Sequence, residues 1–401
     1  IAPGIAGFYD DPRLVDIAYV SSLSLFIGAM LNPKMALLVR DLDFNKEFLL
    51  GLSQKVAGFV VTVIVAYQLR NYWALVLGTL ATQVCGFVLS YRCYPFKPVF
   101  TLIKVREMWG YSMWLSMATF VKTLNSKQDQ FLIGKMFSPG TMGIYAMATR
   151  LSTVLFTDTL GAAVRVVSPS LRAYSHDTAA LSRAYLHTQS LVTLVFLPLA
   201  SITSALALPV VDLILGNNWI EVVDVFRLLV LALCLEAIGG VGLSVVMATL
   251  NTRLAFIRDL LSIIIRAALM ALGLYLDGFT GLLIGRALSS LADLLLYFTI
   301  AGKVTRLNIR EQMMLSWRTW LTSAIVYPFL YWIHAGSMPP ISDSRLLDVA
   351  VLLGTFLLGL LMHSLIQGLL WYCSGRPQSI EVVFLTYVKK RLGRLEKNRC
   401  E

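Results

Sequence analysis

Long apolar runs, broken at intervals by short polar turns, dominate the chain. Windows of predominantly apolar residues recur near 15–38, 49–69, 72–92, 110–134, 142–163, 184–208, 226–249, 255–276, 279–301, 318–336 and 346–372. A helix rising 1.5 Å per residue needs about 20 such residues to cross a hydrocarbon layer of ~30 Å. The runs are not alternating segments of about ten residues, which excludes the strands of a membrane β-barrel. The pattern predicts an all-α polytopic membrane protein with eleven transmembrane helices present.

Composition points the same way. Of 401 residues, 57% are hydrophobic and 14% charged, where a soluble domain averages about 25% charged. The mean hydropathy of +0.72 excludes an ordinary soluble enzyme. The net charge of +11 would suggest nucleic acid as a partner, but its distribution argues otherwise. Lys and Arg collect in every second connection: Arg40 and Lys46; Lys97, Lys104 and Arg106; Arg165, Arg172 and Arg183; Arg253 and Arg258; Lys303, Arg306 and Arg310. Residues 216–224 and 277–281 contain none. Basic connections mark the cytoplasmic side, so the C-terminus is predicted to be cytoplasmic and Ile1 external. Without an initiator Met or a signal peptide, an external start leads to the expectation that helices precede Ile1. The tail from Ser379 carries Val382, Val383, Leu385, Val388, Leu392 and Leu395 among basic residues. It is predicted to lie on anionic lipid as a surface helix, the alternative being a solvated end.

An internal repeat is visible. Trp73-Ala-Leu-Val-Leu-Gly-Thr-Leu resembles Thr280-Gly-Leu-Leu-Ile-Gly-Arg-Ala, and Leu42-Asp43-Phe44 resembles Leu254-Ala255-Phe256. The pairs lie about 210 residues, or six spans, apart, which would make parallel repeats about an axis along the membrane normal. Chance likeness between apolar helices is the alternative.

Ionisable groups within the spans are the candidate chemistry, because each costs roughly 2.5–3.5 kcal/mol at mid-bilayer. Lys55, Lys122, Glu236, Arg266 and Asp293 fall mid-span; Lys127, Asp129, Arg150 and Arg286 fall nearer the ends. One reading is a water-filled cavity whose cations hold an anionic head group, with the carboxylates serving an ion relay. The other is that end charges snorkel to the interface and mid-span charges pair, Arg266 with Asp293 or Glu236. No catalytic constellation is expected: Asp41-Leu42-Asp43 lacks a nucleotide-binding domain beside it, and phosphate-binding glycine loops and HExxH are absent. The five cysteines and four histidines are dispersed, so neither a metal site nor a cofactor is expected.

Several runs, in order, resemble the Wzx-type oligosaccharide flippases, the polysaccharide exporters of the multidrug/oligosaccharidyl-lipid/polysaccharide superfamily. They are Asp10-Asp11-Pro12-Arg13-Leu14, Pro33, Arg40 to Phe44, and Trp73-Ala-Leu-Val. Next come Asn125 to Gly134, Gly143 to Arg150, Ser168-Pro169-Ser170-Leu171 and Gly216-Asn-Asn-Trp219. The colanic-acid-exporter type is the branch most resembled. The resemblance implies about fourteen helices, of which this chain would lack the first three. Residues 1–106 would be the remainder of an N-terminal bundle and 107–302 a six-helix bundle. Two trailing helices would follow over 303–375, then a basic tail over 376–401. It implies alternating-access transport of a polyprenyl-pyrophosphate-linked oligosaccharide across the bacterial inner membrane, for exopolysaccharide or lipopolysaccharide O-antigen biosynthesis. Membrane lipids, a polysaccharide polymerase and a chain-length regulator would be the partners. On that reading Lys122, Arg150, Arg266, Lys55 and Arg286 would bind the head group. Asp129, Glu236 and Asp293 would be ion-coupling or structural carboxylates.

Three competing classes are weighed against it. A lipid II flippase of the same superfamily is hard to separate by sequence, whereas a cationic-drug exporter should carry more acidic and aromatic groups in its cavity. A membrane polymerase or sugar transferase needs a large external loop, and the longest here, 335–345, is short. A scaffold without transport leaves the intramembrane charges unexplained.

Overall fold

In the computed structural model, residues 2–35, 44–93, 105–158, 171, 172, 174, 176–249, 251–336 and 345–374 are described. Their regular elements are all helices, with no strand among them. Asp41-Leu42-Asp43, Ser168-Pro169-Ser170 and the tail over 376–401 lie outside the described residues. The chain divides into two compact units, Ile1–Ser112 and Met113–Glu401.

The first unit holds α1 (Ala2–Tyr9), α2 (Arg13–Ala29), α3 (Phe44–Leu69), α4 (Trp73–Cys93) and the start of α5 (Val105–Met136). The window 15–38 predicts a longer helix than α2, which stops at Ala29. Pro33 has no N–H to continue a helix, and Asn32 is buried instead. The Asn32 backbone N–H donates to Ser90 Oγ (3.3 Å) and its Nδ2 to the Ser90 carbonyl (3.1 Å), fastening the chain exit to α4. The helices α3 and α4 pack through small residues. A Cβ on Gly58 would strike the Thr82 hydroxyl, and one on Gly78 the Thr62 hydroxyl. Both hydroxyls donate within their own helices, Thr62 to the Gly58 carbonyl (2.8 Å) and Thr82 to the Gly78 carbonyl (2.9 Å). Neither hydroxyl is therefore left for the hydrocarbon to solvate.

The second unit contains the rest of α5, then α6 (Pro139–Ser152), which runs into a π-helical turn over Thr153–Asp158. There follow α7 (Thr178–Ala205), α8 (Ala207–Leu215), α9 (Val222–Ala248), α10 (Thr252–Thr305), α11 (Ile309–Met314), α12 (Trp317–Gly336) and α13 (Arg345–Cys373). Local sequence starts these helices. Ser138 caps α6 by accepting from the Thr141 N–H, with Pro139 in the first turn. Asp177 caps α7 by accepting from Ala179 and Ala180. The helix α9 is the hub, packing against α6, α7 and α10, while α12 packs against α7 and α13. Tyr145, Tyr185, Phe196, Phe226 and Phe298 fill the centre. Gln312 of α11 accepts from the Tyr185 hydroxyl (2.7 Å) and donates to the Phe298 carbonyl (3.0 Å), tying α7, α10 and α11 together.

The two apolar windows at 255–276 and 279–301 form one long element broken at Asp277 and Gly278. Gly278 has φ +56° and ψ −129°, a conformation open to glycine alone, and it folds α10 into a hairpin. The halves approach so closely that a Cβ on Gly281 would meet the Gly273 carbonyl, and one on Gly285 the Leu269 carbonyl. In the sequence repeat Gly285 aligns with Gly78, and both glycines make the close approach in their hairpins.

Large apolar side chains also point away from the packed interior: Tyr275 is 87% exposed, Tyr67 81% and Trp332 74%. Six of the described helices are long and apolar enough to cross a membrane. One of them is the long hairpin α10. Outward-facing apolar residues on such helices are what lipid contact requires.

Candidate functional site

The α10 hairpin sets two polar stripes against each other. Arg258, Ser262 and Arg266 recur every four residues on its first half, and Arg286, Ser290, Asp293 and Tyr297 share a face of its second. Onto this seam α5 projects Asn125 and Asp129, one turn apart. Tyr145 comes from α6 and Glu236 from α9. All of these residues lie in the second unit.

They form one ion network. Arg266 Nη2 lies 2.6 Å from Asp293 Oδ2 and 2.7 Å from Glu236 Oε1, while Nη1 donates to the Asn125 carbonyl (3.1 Å). Arg286 Nε donates to Asp129 Oδ2 (2.7 Å), its Nη2 to Glu236 Oε1 (2.9 Å) and its Nη1 to Ser290 Oγ. The Tyr145 hydroxyl donates to the same Asp129 oxygen (2.9 Å). Arg258 pairs with Asp293 Oδ1 (3.2 Å) and Asp259 (2.8 Å), and its guanidinium sits 3.7 Å from the Tyr297 ring centre. Asn125 Nδ2 donates to Ser262 Oγ (3.1 Å), a third link between α5 and α10.

Three guanidiniums face three carboxylates, so the buried set is formally neutral; Asp259 adds a negative charge at a partly exposed edge. Neutrality is the condition for keeping such groups away from water, since one lone ion costs several kcal/mol. Three polar atoms of the set remain without a hydrogen bond: Asp129 Oδ1, Arg258 Nε and Arg266 Nε.

Of the sequence-derived candidates, the fold brings together Asp129, Glu236, Arg266, Arg286 and Asp293. Lys122 and Arg150 stand on exposed faces of α5 and α6, and Lys127 is exposed with Nζ donating to Gln130 (3.3 Å). Lys55 is exposed on α3, in the first unit. Sequence reading assigned Arg258 to a basic inner turn; its four-residue register with Ser262 and Arg266 is the signal that places it in the stripe. Tyr145 and Tyr297 had no signal, because a tyrosine in an apolar run looks like packing. A second, smaller polar contact joins α12 and α13. Gln367 donates to Thr319 Oγ1 (3.2 Å) and accepts from Thr322 (3.2 Å), and Ser323 lies 3.3 Å from His363 Nε2.

Comparison with known proteins gives concordant findings. The family model described as polysaccharide biosynthesis protein matches residues 1–224. The chain is 22% identical over 318 residues to the lipopolysaccharide biosynthesis protein WzxC of Escherichia coli (strain K12), covering 78% of this chain and 65% of that one. It is 22% identical over 262 residues to the teichuronic acid biosynthesis protein TuaB of Bacillus subtilis (strain 168), covering 64% and 54%. The chain thus spans between half and two thirds of the length of these curated relatives. Its fold is similar to that of the lipid II flippase MurJ in an inward closed conformation. The TM-score is 0.65 at 14% identity, over 90% of this chain and 75% of that one.

Proposed function

This chain belongs to the polysaccharide biosynthesis protein family, and on that premise we propose that it is a membrane flippase for a polyprenyl-diphosphate-linked oligosaccharide. It moves the repeat unit from the inner to the outer leaflet of a bacterial cytoplasmic membrane by alternating access. The C-terminus is cytoplasmic. Residues 1–106 form part of one bundle, 107–302 the second, and 303–375 two trailing helices.

The observation that carries the reading is the set of guanidiniums kept among apolar spans. Charged residues that face the interior of a membrane bundle mark substrate or ion pathways, and Arg266 and Arg286 expose only 5% and 4% of their side chains. Arginine suits the task, because its planar fork pairs with two oxygens of a phosphate at once. In this reading Arg266 and Arg286 are the deep head-group cations, with Lys122, Arg150 and Lys55 as exposed cations on the substrate's path. Asp129, Glu236 and Asp293 are the counter-ions that hold the arginines, and the groups through which a proton or sodium gradient would couple. Coupling is abandoned if flipping continues unchanged when both gradients are collapsed. A polysaccharide polymerase and a chain-length regulator are the proposed partners, and no chemical step is assigned to the chain.

The test is complementation of a bacterium deprived of its own polysaccharide flippase, using the natural reading frame that contains this sequence. Restored surface polymer, lost in Arg266→Ala and Lys122→Ala at unchanged membrane expression, is the expected result. Full activity in both variants would move these residues to a structural role. Absence of any rescue at good expression would overturn the substrate assignment.

A further inference from the structure

Two parallel stripes divide the exposed surface of α5. Met113, Met117, Phe120, Leu124 and Phe131 recur at helical spacing and are 38–68% exposed. A polar set runs beside them, offset by one residue: Ser116, Thr119, Thr123 and Ser126 are exposed and Gln130 is half-buried. Steps of three and four residues keep each set on its own face, and the offset turns the two faces about 100° apart. Asn125 and Asp129 occupy a third, buried face, in the ion network. From Met113 to Phe131 the apolar stripe rises about 27 Å, close to the ~30 Å of a hydrocarbon layer.

The hydroxyls alone would tolerate lipid, since Thr123 Oγ1 donates to the Thr119 carbonyl (2.8 Å) and Ser126 Oγ to the Thr123 carbonyl (2.9 Å). The lysines would not. Lys122 and Lys127 stand on the two edges of the polar stripe, both exposed. Lys122 is about 21 Å from the nearer end of α5, too deep to snorkel, and an ammonium at mid-bilayer costs roughly 2.5–3.5 kcal/mol. Lys127 Nζ donates to Gln130 Oε1 (3.3 Å), within the stripe. The polar stripe therefore faces water and the apolar stripe beside it faces hydrocarbon, so α5 stands on the boundary between them.

We infer that α5 is the track of the lipid-linked substrate, with the prenyl chain on the apolar stripe and the diphosphate and sugars on the polar one. The inference rests on the flippase reading above and adds the path. An amphiphile crossing the membrane needs such a boundary at every depth, because its tail is driven from water and its head from hydrocarbon. The stripes meet at Lys127, which stands in the line of the apolar set between Leu124 and Phe131. Its ammonium takes the diphosphate, the point where tail and head join. Hydroxyls that donate to their own helix still offer lone pairs to sugar hydroxyls.

The experiment compares neighbouring positions by cysteine substitution in the full chain in lipid nanodiscs. The native cysteines other than the buried Cys234 are replaced by alanine. A charged, water-soluble thiol reagent should modify Thr123→Cys and Ser126→Cys about tenfold faster than Phe120→Cys and Leu124→Cys. Undecaprenyl diphosphate should slow modification of Thr123→Cys about tenfold, and undecaprenol or inorganic pyrophosphate at the same concentration should leave it unchanged. Lys127→Gln should raise the concentration for half-protection about tenfold, or 1.4 kcal/mol. All four positions are exposed, so folding does not depend on them. Equal rates at Thr123 and Leu124, both fast or both slow, mean that α5 is wholly wet or wholly covered by protein, and overturn the inference. Unequal rates without protection by undecaprenyl diphosphate overturn the track and leave the flippase reading standing. Absence of protection together with no rescue of surface polymer by the natural reading frame overturns both.

Discussion

Asp129 shows how much one buried carboxylate organises. Its Oδ2 accepts from both Tyr145 and Arg286, and its Oδ1 lies 3.9 Å from Arg266 Nη1. Removing one partner leaves the other charges buried without compensation. Arg286→Met should therefore cost about 3–5 kcal/mol, read as loss of stability to denaturant in detergent. Tyr145→Phe removes one hydrogen bond to a charged acceptor and should cost about 1.5–3 kcal/mol. Asp224→Ala is the contrast: its pair with Arg227 (2.9 Å) has a carboxylate 84% exposed, so the change should stay below about 0.5 kcal/mol. A loss for Arg286→Met as small as that for Asp224→Ala would mean the network is not buried as described. The sequence made Asp129, Glu236, Arg266, Arg286 and Asp293 visible, because a charge in an apolar run is conspicuous. It left open whether they line a cavity or pair, and Arg266 in fact touches both Asp293 and Glu236.

Helix pairing here depends on where side chains are missing. In the α10 hairpin a Cβ at Gly285 would meet the Leu269 carbonyl, and backbone cannot move aside as a flexible side chain can. Gly285→Ala should thus destabilise by about 1–3 kcal/mol, the usual cost of overpacking. It should also spread the stripe of Arg258, Ser262 and Arg266 from that of Arg286 and Asp293. A Cβ at Gly368 in α13 would instead have nothing within 4 Å, and Gly368→Ala should stabilise by about 0.5–1 kcal/mol through helix propensity. Opposite signs for two identical substitutions, measured by thermal unfolding, check the packing; a stabilising Gly285→Ala would contradict the hairpin. Element positions followed closely from apolar windows, since 318–336 and 346–372 appear as Trp317–Gly336 and Arg345–Cys373. The window 15–38 overran α2 because hydropathy scores Met30 and Leu31 as spanning residues, while the burial of Asn32 and the missing N–H of Pro33 end the helix.

The molecule presents large apolar side chains outward and keeps a network of charges inside its second unit, an arrangement a protein made for water does not need. Trp332, 74% exposed on α12, tests that arrangement. In a variant keeping only this tryptophan, lipids with brominated acyl chains should quench its fluorescence in bilayers and aqueous iodide should not. Quenching by iodide alone would place α12 outside the hydrocarbon. The sequence by itself determined that this is a bundle of membrane helices with costly charges inside it. Hydrocarbon offers no hydrogen bonds, so each spanning segment must satisfy its own backbone, and that requirement is written locally in every 20-residue run. Only the tertiary structure decided which charges meet. Arg286 and Asp129 are 157 residues apart and Arg266 and Asn125 141. Their meeting depends on the rotation of each helix about its axis and on glycine contacts that let the α10 halves close. Those are properties of pairs of helices, and no single apolar run contains them.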